Sequence, residues 1–293
     1  MELFFVVSGF LTEYTYNSNE SFKKWIFGKL SRYYPYAIIA CIVCLGTAAV
    51  FSIISSASLL NLNYDVPTII TSLMLFHTGW IKEFSPAINN PTWYLCILTL
   101  CYLLFWLFRE VISWKKKWIM FAVFAAMMIP AYFASTHGMN IIPFIRLGNV
   151  RGYGSFFTGC ILCMAWRVIP KKRLILINAG LWILAISGML EFGLSNWYVL
   201  TYLLFPALLL SLLLLPQIGN RFTKMAGAVS FEVYLWHVPI YSLLLTFFTA
   251  TGLEIQHSWL SMTLFSLLIW FVAAGIHYGI DQPIAKRLSM RNE

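Results

Sequence analysis

Apolar residues run along this chain in long unbroken stretches, divided by short polar segments that carry most of the charge. Eight such stretches lie at about 35–55, 93–108, 118–134, 153–166, 174–190, 197–215, 230–248 and 259–280. A bilayer's hydrocarbon core is about 30 Å thick and takes roughly 20 helical residues to cross. Run 153–166 is short by that measure, and the others range from adequate to generous. The pattern predicts an all-α, polytopic integral membrane bundle with eight full spans. Two stretches fit less simply. The opening run, Met1 to Leu11, rises only about 16 Å as a helix and reads as an N-terminal half-span. The run Val66–Trp80 starts with Asp65-Val66-Pro67 and contains Thr68, Thr71, Ser72 and His77.

Lysine and arginine placement decides what Val66–Trp80 does. If it does not span, the cytoplasmic side holds Lys23, Lys24, Lys29 and Arg32, Arg109 and Lys115–Lys117, Arg167 and Lys171–Arg173, Arg221 and Lys224, and Lys286, Arg287 and Arg291. That is 17 of the 20 cations, with Lys82, Arg146 and Arg151 left outside. If it did span, the asymmetry would collapse. The positive-inside rule therefore predicts a short re-entrant or interfacial segment and a cytoplasmic C-terminus. With Lys23–Arg32 inside, the half-span comes in from the outside, which leads us to expect a further helix ahead of Met1 and ten spans in all.

Composition agrees. A 293-residue soluble domain that is 60% hydrophobic and 11% charged could not hide so much apolar surface. The net charge of +9 sits in loops between apolar runs, which is a topology signal rather than a nucleic-acid stripe. Met1 is followed by neither a basic n-region nor a small-residue cleavage site, so the opening is not a signal peptide. Cys41, Cys44, Cys96, Cys101, Cys160 and Cys163 all fall inside apolar runs and read as small buried hydrophobes. There is no internal repeat, and residues 1–293 are read as one membrane domain.

Several side chains have two readings. His237 lies about seven residues inside the run that starts at Ser230, where an ionisable group marks either a structural tie between helices or an active site. Tyr234 shares its helical face, whereas Glu232 lies on another. Trp93 and Tyr94 open a span at its outer end, as an aromatic belt or as a platform for a sugar ring. Arg151 is either an interfacial anchor or a partner for an anionic polysaccharide or phosphate. Lys29 and Arg32, beside Lys23 and Lys24, read first as topology determinants. His77 fits the polar lining of a re-entrant segment. His137, His257 and His277 look like loop or helix-end residues. Ser8 and Gly9 are small enough for close helix packing, and Asp281 with Pro283 ends the last span.

Four stretches together resemble the acyltransferase-3 family of membrane acyltransferases: Glu2–Leu11 (ELFFVVSGFL), Lys29–Pro35 (KLSRYYP), Asn89–Leu95 (NNPTWYL) followed by Tyr102, and Ser230–Pro239 (SFEVYLWHVP). The third, with Val150–Gly159 (VRGYGSFFTG), is most similar to members that acylate capsular and exopolysaccharides. The resemblance implies transfer of an acyl group, usually acetyl from acetyl-CoA, onto a sugar hydroxyl, with no tightly bound cofactor. It implies that Lys29 and Arg32 bind the coenzyme A phosphates and that His237 lies at the active site. It also implies a catalytic histidine, with an arginine upstream, on a first helix that would precede Met1; no residue of this chain matches it. A sugar hydroxyl is a weak nucleophile towards a thioester, so a general base such as histidine suits the reaction. The leading expectation is thus an O-acyltransferase of a bacterial-type cell membrane, acting on a polysaccharide or a lipid-linked sugar. The competing one is a catalytically inactive or transporter-like membrane protein that handles lipid-linked sugars. Against a transporter, no inverted repeat with paired broken helices is found.

Overall fold

A computed structural model describes residues 1–55, 59, 64–84, 87–111, 117–138, 143–215, 219–253 and 258–283. The expected basic residues Lys115, Lys116, Lys286, Arg287 and Arg291, and His257, lie outside these. All regular structure among the described residues is helical. Seven segments there are long and apolar enough to cross a membrane, so the chain is an all-α, multi-pass membrane protein. The chain divides into two compact units, the first of Met1–Arg32, Thr78–Glu83 and Trp93–Gln217, the second of Tyr33–His77, Phe84–Thr92 and Ile218–Glu293.

The first unit contains α1 (Glu2–Tyr14), α2 (Phe22–Leu30), α5 (Trp93–Trp106), α6 (Lys117–Thr136), α7 (Leu147–Val168), α8 (Lys171–Phe192), α9 (Trp197–Val199) and α10 (Phe205–Leu214). A π-helical turn, Leu107–Val111, extends α5, and another, Leu200–Leu204, joins α9 to α10. The short apolar run 153–166 is part of α7, a 22-residue helix. Asn149, Arg151, Ser155, Thr158 and its glycines keep α7 from reading as a span. They are tolerated because α7 packs against α1, α5 and α6 rather than against lipid.

Small residues set the α1–α7 contact. A Cβ on Gly9 would overlap the carbonyl oxygen of Phe156, and a Cβ on Gly159 would overlap that of Val6. The two backbones therefore touch directly, as small residues at membrane helix crossings allow. The Cys160 thiol lies beside this crossing and donates to the Gly9 carbonyl at 3.3 Å. All six cysteines are buried thiols.

Charge pairs mark both ends of α1. At its start, Arg151 Nε donates to Glu2 Oε1 at 2.6 Å. At its end, Glu13 Oε1 lies 3.2 Å from Arg109 Nη1 and 4.0 Å from Arg167 Nη1. The charge rule assigns Arg109 and Arg167 to one side of the membrane and Arg151 to the other, and they sit at opposite ends of one helix.

The second unit contains α3 (Tyr34–Ser55), α4 (Val66–Leu73), α11 (Arg221–Thr251) and α12 (Trp259–Ile276), the last prolonged by a π-helical turn, His277–Asp281. Helix α4 is capped by Asp65, whose carboxylate accepts from Thr68 N at 2.8 Å, with Pro67 in its first turn. Its eight residues rise about 12 Å, too little to cross a bilayer, so Val66–Trp80 does not span as a helix. Helix α11 packs on α3 and α12. It starts well ahead of the apolar run at 230, because Asn220 caps Thr223 N at 2.8 Å and its first turns are helical but polar. It stops at Gly252, whose φ of 70° is the left-handed conformation of a helix C-terminus.

Candidate active site

Within the second unit the segment ahead of α5 docks on α11. Thr92 Oγ1 donates to the Asn89 carbonyl at 2.6 Å, closing the short turn Asn90–Thr92. Asn89 is fully buried, and its Nδ2 donates to the Leu235 carbonyl at 3.3 Å. Pro239, inside α11, explains why that carbonyl is free. Proline has no N–H, so the carbonyl four residues back loses its helical donor, at a cost of several kcal/mol in a hydrocarbon environment. The Asn89 amide replaces the missing donor. The Tyr234 hydroxyl donates to the Pro91 carbonyl beside it. Asn89-Asn90-Pro91 and Tyr234-Leu235 thus belong to one hydrogen-bonded unit.

A double-mutant cycle tests this pairing. Asn89→Leu is expected to lower stability by about 1–3 kcal/mol, the cost of orphaning a buried carbonyl. In a Pro239→Ala background, where residue 239 regains its N–H, the same change is expected to cost less. Chemical unfolding of the purified protein in detergent reads both, and equal costs in the two backgrounds would disprove the exchange of donors.

His237 is half-buried, one turn after Tyr234 on α11. Its Nδ1 lies 2.6 Å from the Tyr234 carbonyl oxygen. A carbonyl can only accept, so Nδ1 carries a proton, and when the ring is neutral its lone pair is on Nε2. Of the two side chains, it is Tyr234 that reaches another segment. Glu232 bonds elsewhere: its Oε1 is 2.7 Å from Nδ1 of His277, while its buried Oε2 has no hydrogen-bond partner among the described residues. The sequence reading gave His277 no role. A buried acid near the start of an apolar run was the one available signal, and a separation of 45 positions hides its partner.

The other candidates lie in the first unit. Lys29, on α2, holds its Nζ 5.8 Å from the Trp25 ring and 5.5 Å from the Tyr102 ring, in cation–π range. Arg32 is exposed just beyond α2. Neither cation is within salt-bridge distance of a carboxylate among the described residues. Trp93, Tyr94 and Arg151 come together around the start of α1. The Arg151 guanidinium lies 5.8 Å from the Trp93 ring while bonded to Glu2. The Tyr94 hydroxyl shares a 2.8 Å hydrogen bond with Ser8 Oγ and donates to the Phe4 carbonyl at 3.3 Å, and its ring packs 4.4 Å from Phe5. Trp93 keeps part of its ring exposed, whereas Tyr94 is buried. His77, at the turn after α4, is buried, and desolvation lowers its imidazole to about 4. Its carbonyl accepts from Phe84 N at 2.8 Å.

The family stretches are therefore distributed between the units. The Tyr234–His237 turn and Asn89–Pro91 belong to the second, while Trp93, Tyr94, the opening helix and Val150–Gly159 belong to the first. No curated protein and no solved structure matches the chain. Residues 1–278 match a family described as an acyltransferase domain. By that match, over nearly its whole length, the chain belongs to the acyltransferase-3 family of membrane acyltransferases.

Proposed function

We propose that this protein transfers an acetyl group from acetyl-CoA to a hydroxyl of a cell-surface or secreted polysaccharide, with its C-terminus in the cytoplasm of a bacterial-type cell. The observation that carries this reading is His237, at membrane depth, with its Nε2 lone pair left available by the Nδ1 bond to the Tyr234 carbonyl. In this reaction the sugar oxygen attacks the thioester carbonyl carbon while Nε2 takes the hydroxyl proton. The carbon–sulfur bond then breaks, and the proton passes from Nε2 to the departing thiolate. An imidazole can both accept and return a proton, which suits it to both transfers.

Lys29 and Arg32 are the proposed contacts for the coenzyme A phosphates, since neither is within salt-bridge distance of a carboxylate among the described residues and phosphate favours such cations. Trp93 offers a partly exposed face for a sugar ring. Tyr94 fixes the helix start below it, and Arg151 holds a negative group on the acceptor.

The test is acyl transfer by the full-length protein in lipid, with radiolabelled acetyl-CoA and isolated polysaccharide. Label in the polysaccharide is the expected result; no transfer, or transfer from long-chain but not acetyl donors, refutes the proposal. Lys29→Met and Arg32→Gln are each expected to raise KM for acetyl-CoA by about tenfold, the value of one charge-assisted contact. Their kcat at saturating donor is expected to stay close to wild type. An unchanged KM would remove these residues from the donor site.

A further inference from the structure

In the first unit, a cavity of about 490 Å³ lies where α6 starts and α7 ends. Its wall is apolar, from Trp118 on α6 and from Ile161, Ala165 and Val168 on α7, and Arg109 and Lys117 also line it. Trp118 and Val168 are 56% and 81% exposed, so this face opens outward from the protein.

Charge around the cavity is unbalanced. Glu13 lies between Arg109 and Arg167, and Glu110 accepts from Tyr16 and lies 3.9 Å from Lys117 Nζ. Among the described residues, three cations against two carboxylates leave one positive charge over. Arg109 Nε is in addition buried with no hydrogen-bond partner among the described residues. The π-helical turn Leu107–Val111 carries Arg109, and such turns in helices are frequent at functional sites.

We infer that this cavity is a binding site for an acidic phospholipid, with the phosphate on Arg109 and Lys117 and an acyl chain along Ile161, Ala165 and Val168. An anionic head meets the surplus charge, and a hydrocarbon tail matches the wall. Basic pockets between membrane helices bind anionic lipid heads for these reasons. Coenzyme A offers phosphates too, but its polar pantetheine arm and adenosine do not match an apolar, outward-opening wall.

The test uses the full-length protein in nanodiscs of phosphatidylcholine with a minor fraction of phosphatidylglycerol, and native mass spectrometry counts retained lipid. The wild type is expected to retain one phosphatidylglycerol in preference to phosphatidylcholine. Lys117→Gln is expected to lower that preference about fivefold, the effect of one basic residue at an anionic head. Ala165→Phe fills the cavity without touching the charges and is expected to abolish retention while leaving the unfolding temperature in pure phosphatidylcholine unchanged. Equal retention of the two lipids by wild type, or retention unaffected by Ala165→Phe, overturns the proposal. Displacement of the retained lipid by added coenzyme A also overturns it, because the cavity is then the donor site.

Discussion

Gly159→Leu removes folded protein from the membrane. The first side-chain atom at position 159 meets the Val6 carbonyl oxygen and the Phe10 backbone nitrogen, not the end of another side chain. A flexible neighbour could swing away, but backbone can yield only if α1 and α7 separate along their length. Overpacking in a close-packed interior costs about 1–3 kcal/mol when side chains absorb it, and more when backbone must move. Separation would also pull Glu2 from Arg151 and Glu13 from Arg167, both on α7, and breaking a buried ion pair is itself worth about 3–5 kcal/mol. Together these match or exceed a substantial part of a typical folding free energy. Gly9→Leu is expected to fail in the same way. Gly180→Leu on α8, where an added Cβ meets nothing within 4 Å, is expected to leave the protein folded. Size-exclusion profiles of fluorescently tagged variants separate these outcomes. Normal profiles for Gly159→Leu would show that the helices do not cross at this point.

The second large effect concerns chemistry. His237→Ala is expected to lower kcat for acetyl transfer by about 10²–10⁴-fold, the usual contribution of a general base. Its amount in membranes and its unfolding temperature are expected to stay close to wild type. The separation of the two readouts follows from the geometry, because among the described residues the ring's hydrogen bond goes to a carbonyl of its own helix. A residue that tied helices together would lower stability when removed. His237→Gln cannot act as a base near neutral pH and is expected to be as inactive as the alanine variant. Undiminished transfer by either variant would exclude His237 from proton transfer.

Apolar runs made much of this fold legible, because crossing a bilayer constrains length and composition more tightly than folding in water does. That Val66–Trp80 would not span was expected from charge counting, which says nothing of where α4 ends. Helix α7 was harder to read: Asn149, Arg151 and Ser155 interrupt its pattern and are tolerated through packing that no local spacing reveals. The pairs Glu2 with Arg151, Glu13 with Arg109, and Glu232 with His277 were invisible for the same reason. Each joins helices far apart in sequence, and nothing near one partner specifies the other. The link between Asn89 and Pro239 lay between these cases. Both residues stood in noticed stretches, and proline's missing N–H implied a needy carbonyl at Leu235, but which group would meet it depended on tertiary structure.

The contact between α1 and α7 also sets a schedule for synthesis. Arg151 follows Glu2 by 149 residues, and Arg167 lies still further beyond Glu13. At about 5–20 residues per second, a ribosome needs roughly 7–30 s to deliver those arginines after α1 has emerged. For that interval Glu2 waits at the translocon or the membrane surface without its α7 counter-ion, and Glu13 has Arg109 but not yet Arg167. Helix α1 is then a late-docking element, seated by the arrival of α7 rather than by its own insertion. Slowing elongation between α1 and α7 would lengthen the exposure of an acidic, undocked helix to membrane proteases.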